Sequence, residues 1–253
     1  MFPVVLSRSR LLAAALIVVG IVATAVIVTA PGGGWLSYNP SGAATDHHRQ
    51  LEADRAILSR LAVIMPVNNN TDIQFYRNTW LGDYLHLVCD WPAPGCSIVC
   101  NQESTYRTLD TKTRCFARAI KNYADKDFFI KLDDDSLTDR GYILDLMKKH
   151  RGQTAPVYIS DHIIHEDGKN PVLDGAKYGN GKFYMFNRPL ARCVDPEIKY
   201  RGHHNEDAVF GAMVRAGCDE KRIMYLDEDD RFIWHKEYEN KNKKIDLSHI
   251  KNH

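Results

Sequence analysis

The sequence predicts an α/β layer fold, carried by a single domain behind one N-terminal transmembrane helix. Three observations point there. From Phe128 onward, short apolar runs alternate with helix-like stretches, the pattern of layered α/β architectures. The chain has 253 residues, 44% hydrophobic and 26% charged, which suits one catalytic-sized domain with a buried core and excludes wholesale disorder. Finally, residues 11–30 hold nothing more polar than Thr24 and Thr29. As a helix that run would cover roughly 30 Å, the hydrocarbon thickness of a bilayer.

Arg8 and Arg10 precede the apolar run, and no Lys or Arg follows before Arg49. The positive-inside rule therefore leaves residues 1–10 in the cytoplasm and carries the rest across the membrane. The competing reading is a cleaved signal peptide, whose apolar region typically runs about 7–15 residues. Residues 31–60 read as a stem. Pro31 and Gly32 to Gly34 open a turn-rich linker reaching about Asp46, and Leu51, Ile57, Leu58 and Leu61 then mark a helix that is either stem or the domain's first element. The catalytic domain is expected over 61–253. It begins with a buried strand at 61–67, closed by three asparagines. Further strands are expected at 128–132, 157–160 and 183–186, and helices at 138–150 and 206–216.

With 33 basic and 32 acidic side chains the formal net charge is +1, which argues against a nucleic-acid binder and its usual basic excess. Cys89, Cys96, Cys100, Cys115, Cys193 and Cys218 are even in number and suggest disulfides in a lumenal domain, with the pairing left open. A zinc site is the weaker reading, because no C-x-x-C is present. Asn69-Asn70-Thr71 is the one glycosylation sequon, usable only on the lumenal side.

Chemistry concentrates in two acidic motifs. Asp133, Asp134 and Asp135 follow the strand at 128–132, and ligands of open α/β sheets bind beyond the carboxyl ends of strands. Adjacent carboxylates there repel unless a hard divalent cation holds them, and such cations commonly share phosphate ligands. The bland reading is a solvated turn that caps the next helix. Glu206 and Asp207 open the helix at 206–216. The macrodipole alone accounts for acids in a first turn, whereas the functional reading makes one of them a general base. Glu206 is expected as a surface acid that orients the helix start, and Asp207 as an acid that the helix start keeps ionised.

Several motifs come in order: Tyr76-Arg-Asn-Thr-Trp80, Glu103 with Tyr106 and Leu109-Asp-Thr-Lys-Thr113, the Asp triplet, Tyr178-Gly-Asn-Gly-Lys-Phe-Tyr184, and Glu206-Asp with Gly211. Over about residues 61–235 the chain resembles the inverting β-1,3-glycosyltransferases, a family that includes β-1,3-galactosyltransferases, β-1,3-N-acetylglucosaminyltransferases and Fringe. The resemblance implies a Golgi-anchored GT-A-type fold, Mn²⁺, a UDP-sugar donor and a glycan or glycoprotein acceptor. It implies that Asp135 binds Mn²⁺, with His235 as a downstream metal ligand. Asp133 would face the ribose, with Asp134 and Arg77 on the same donor-binding side. Gly181 would allow close approach of the donor sugar or acceptor, and Asp207 would be the catalytic base. Residues 88–102, with three cysteines and two prolines, depart from the plain strand usual in that family. Two other function classes compete: a catalytically inactive lectin- or chaperone-like relative, and a metal-dependent hydrolase of phosphoesters. Retention of both acidic motifs speaks against the first, and turnover without a sugar acceptor would mark the second.

Overall fold

A computed structural model describes residues 40–166, 173–228 and 230–235. The expected cytoplasmic tail and membrane span lie outside the described residues. Among the described residues no helix is long and apolar enough to cross a membrane. The chain divides at Ala44, and of the first unit only the start of α1 is described.

Helix α1 spans Pro40–Leu58, so it begins inside the expected linker. Proline suits a first helical position and Ala43 and Ala44 are strong helix formers, which explains the earlier start. Then come β1 (Leu61–Pro66), α2 (Ile73–Arg77), β2 (Leu85–Cys89), β3 (Cys96–Val99) and α3 (Leu109–Ala119). The middle of the chain supplies β4 (Phe128–Leu132), β5 (Ser136–Thr138), α4 (Arg140–His150), β6 (Val157–Ser160) and β7 (Ile163–His165). The last part supplies β8 (Lys177–Gly179), β9 (Phe183–Asn187), α5 (Arg188–Cys193), α6 (Glu206–Gly217), β10 (Met224–Asp227) and β11 (Ile233–His235). The expected helix at 138–150 starts two residues late. Thr138 closes β5, and the Asp139 side chain caps α4 by accepting from the Tyr142 amide at 2.8 Å.

Seven strands form the central sheet in the order β10-β6-β9-β4-β1-β2-β3. All neighbours are parallel except β9, which runs antiparallel between β4 and β6. The architecture is therefore mixed α/β with a parallel-rich sheet. Strand alternation divides the core in two. Phe128, Ile130 and Leu132 face a layer containing Leu58 and Ile143, Leu144, Leu146 and Met147 of α4, while Phe129 faces α3, α5 and α6.

Phe210 of α6 seats that helix on the sheet. Its ring lies 5.0 Å from Tyr184 and 5.2 Å from Phe186, spacings at which aromatic pairs attract. Gly211 lets α6 approach β8, since a Cβ there would fall 2.7 Å from the Lys177 carbonyl. Three disulfides close the six cysteines as Cys89–Cys96, Cys100–Cys115 and Cys193–Cys218.

Candidate active site

The acidic triplet turns at the carboxyl end of β4, and its members part company there. Asp134 faces the loop after β1, where its carboxylate accepts from Thr71 Oγ1 and, at 3.2 Å, from Asn68 Nδ2. Asp133 and Asp135 turn the other way and meet His235. One ligand atom from each of the three lies within 4.8 Å of the others, and His235 Nε2 is 3.1 Å from Asp135 Oδ1. Antiparallel pairing of β11 with β5, in the register His235↔Ser136, brings the histidine to the triplet. Two carboxylates and one nearly buried imidazole are a donor set that fits a divalent cation.

Lys131 is the unexpected centre of the site. Only 1% of it is exposed, because strand alternation points it to the same side as Phe129. Its Nζ donates to Asp133 Oδ1 at 2.6 Å, to the Gly181 carbonyl at 2.6 Å and to Glu206 Oε1. Burial opposes its charge, but Asp133 and Glu206 together hold its pKa above the ordinary lysine value. A charge this deep persists only when paired and hydrogen-bonded.

Glu206 differs from its expectation as a surface acid. Its side chain is 12% exposed, and its Oε2 accepts from Thr113 at 2.9 Å and from the Tyr184 hydroxyl at 3.5 Å. The aromatic seating of Phe210, one turn along α6, pulls this residue inward. Burial lifts its pKa to about 7 against the pull of Lys131, with Asp207 and Asp133 adding to the rise.

Asp207 follows on the same turn. Its Oδ1 accepts from the Ala208 amide at 2.8 Å, and no described group engages its Oδ2. The helix-start amide does lower its pKa as expected, but burial outweighs it and the net direction is upward. Gly181 lies against both acids. A Cβ there would stand 3.1 Å from Glu206 Oε1 and 3.4 Å from Asp207 Oδ2.

Arg77 is not brought to this cluster. It ends the five-residue α2, and its guanidinium rests against Gly95, where any side chain would collide with it. Successive helical residues diverge by about 100°, so Tyr76 and Arg77 point to different surroundings. Tyr76 is 2% exposed, and burial together with Asp134, Asp135 and Asp133 raises its hydroxyl pKa. Sequence reasoning missed Lys131, Tyr76, Thr113 and Tyr184 as parts of the site. A lysine inside the apolar run at 128–132 was the available signal for the first.

No protein-family model matches the chain, and no curated protein matches it. Among solved structures it is similar to the crystal structure of S. aureus TarS 1–349, at 12% identity and a TM-score of 0.38. The match covers 67% of this chain and 58% of that one, so the chain spans little more than half of that structure's length.

Proposed function

We propose that the chain is a GT-A-type glycosyltransferase of the secretory lumen. In this reading it moves a hexosyl unit, galactose or an N-acetylhexosamine, from a UDP-sugar to a glycan or glycoprotein hydroxyl, with inversion and a β-1,3 linkage. The observation that carries it is the junction of two features: a three-donor cation group, and an acid with one unengaged oxygen, joined through Lys131 and Glu206. The family and linkage rest on the order of the sequence motifs.

Mn²⁺ held by Asp135, His235 and Asp133 would neutralise the negative charge that grows on a departing diphosphate. The chain's own groups divide the remaining work. Glu206 has both oxygens committed to Lys131, Thr113 and Tyr184, so it fixes the start of α6. Asp207 keeps Oδ2 available, and its raised pKa makes it a stronger proton acceptor while it remains ionised. It takes the acceptor hydroxyl proton as the new bond forms. The missing side chain at Gly181 keeps that oxygen uncrowded, since even a Cβ there would stand 3.4 Å from it. Asp134 acts on the donor side through the loop it fastens.

The proposed setting is the Golgi membrane, with residues 11–30 as a type II anchor. The three disulfides support an oxidising compartment, and Asn69 is exposed. The direct test incubates the protein with UDP-galactose, UDP-N-acetylglucosamine and UDP-N-acetylgalactosamine, with Mn²⁺ and a glycan panel, and measures UDP. Release dependent on cation and stimulated by acceptor is expected. Turnover of a generic phosphodiester without sugar transfer would replace this reading with a hydrolase.

A further inference from the structure

A groove of about 980 Å³ runs along the outer side of α3, between β3 and the loop that leads into α6. Its size is that of a small-molecule site. Its charged lining is balanced: Asp110 and Asp125 stand against Arg114 and Arg118, with the amides of Gln102 and Asn122 between. Arg118 is further neutralised by Glu197 at 2.6 Å. Such a lining offers donors and acceptors together and no net positive field. It suits a neutral, hydroxyl-rich ligand rather than a phosphate.

One end of the groove is built with unusual care. Asp110, in the first turn of α3, is 1% exposed. Its two oxygens take the Tyr200 hydroxyl at 2.7 Å and His203 Nδ1 at 3.0 Å. A buried carboxylate in that position fixes the imidazole's orientation through Nδ1 and leaves Nε2 as the ring's second polar atom. The His203 side chain remains half exposed and lines the groove. This end adjoins the acid cluster by two routes. Thr113, one turn beyond Asp110 on α3, donates to Glu206, and His203 precedes Glu206 by three residues.

We propose that this groove binds the acceptor as a neutral oligosaccharide, with His203 Nε2 hydrogen-bonding a sugar hydroxyl at the end nearest Asp207. The assignment rests on the glycosyltransferase reading for its place in the reaction, but not for the binding itself. It accounts for a buried aspartate that holds both Tyr200 and His203.

The experiment has two arms on the full chain. In the first, histidine-ring NMR follows titration with lactose, N-acetyllactosamine, chitobiose and the anionic sialyllactose, without donor. The His203 signals, assigned by their loss in His203→Ala, are expected to shift with neutral glycans. Absence of any shift, or shifts with the anionic glycan alone, overturns the proposal. In the second, UDP release from the UDP-sugar panel is measured with and without the same glycans. The ratio of acceptor-dependent to acceptor-independent release should fall about tenfold in His203→Ala, the worth of one good hydrogen bond. His203→Gln, which keeps a polar contact, should recover part of it. An unchanged ratio overturns the proposal. If no UDP-sugar is turned over at all, the transferase reading fails, and the NMR arm alone decides whether the groove binds glycans.

Discussion

Lys131 on β4 and Glu206 on the first turn of α6 are bonded directly, although 75 residues separate them in the chain. With side chains 1% and 12% exposed, they form a nearly buried ion pair that holds the helix of the proposed base against the strand of the proposed cation ligands. Breaking such a pair from one side leaves an uncompensated charge and typically costs about 3–5 kcal/mol. Lys131→Met should lower unfolding stability by about that amount, as read by urea denaturation. Lys131→Met combined with Glu206→Gln should recover part of the loss. A single substitution that leaves the urea midpoint unchanged would show that the pair does not hold the site.

The two acids of α6 should fail in different ways. Asp207→Asn keeps the shape and the Ala208 contact but cannot accept a proton, and losing a general base typically costs about 10²–10⁴ in rate. The fall should appear in kcat, with thermal stability little changed. Glu206→Gln should lower thermal stability first, because Lys131 loses a charged partner. Near-normal transfer by Asp207→Asn would move the base to another residue.

Cation dependence follows from the group of Asp133, Asp135 and His235. Asp135→Ala and His235→Ala should each weaken Mn²⁺ binding, followed by electron paramagnetic resonance of the free ion. EDTA should abolish transfer reversibly. Full activity in chelator would sink the assignment.

His150 supplies a pH dependence with a definite sign. It ends α4 only 5% exposed, and among the described residues neither ring nitrogen has a hydrogen-bond partner. Burial, with Lys149 adding to it, lowers its pKa. The unfolded chain therefore binds this proton at higher pH than the folded one does. Stability from this group is complete above the unfolded value of about 6.5 and declines as pH falls below it. Urea midpoints of the wild type and His150→Gln should diverge between pH 7.5 and pH 5.5, with the wild type losing more on acidification. Parallel curves would refute a buried neutral ring.

The apolar halves of the fold were legible in the sequence, and the polar core was not. Phe128–Leu132 and the stripe of Glu206–Gly217 announce a strand and a helix because their buried faces are apolar. Helix α3 escaped notice for the opposite reason. Its buried face includes Asp110, Lys112 and Thr113, so the apolar pattern that marks an inward face is interrupted by buried polar side chains with partners elsewhere in the chain. The acids of both motifs were visible as candidates. Their bonding to Lys131 was not, because contact across 75 residues leaves no trace in local periodicity. His235 was reached only through resemblance, since the β5–β11 pairing that delivers it joins segments still farther apart in the chain. Tyr76 and Arg77 share one motif but not one environment: Tyr76 is buried beside the triplet, and Arg77 rests against Gly95.

Strand β3 lies at the edge of the sheet with a disulfide at each end, Cys96 tied to β2 and Cys100 tied to α3. An open edge strand can fray or pair with another chain, and here both hinges of that movement are locked. The same strand supplies Ser97, Ile98 and Val99 to one wall of the groove. That wall is thus completed by oxidation as well as by folding. A chain matured in a reducing cytosol would present a groove with one unfastened side. Thiol status would then report on how firmly that wall of the groove is held.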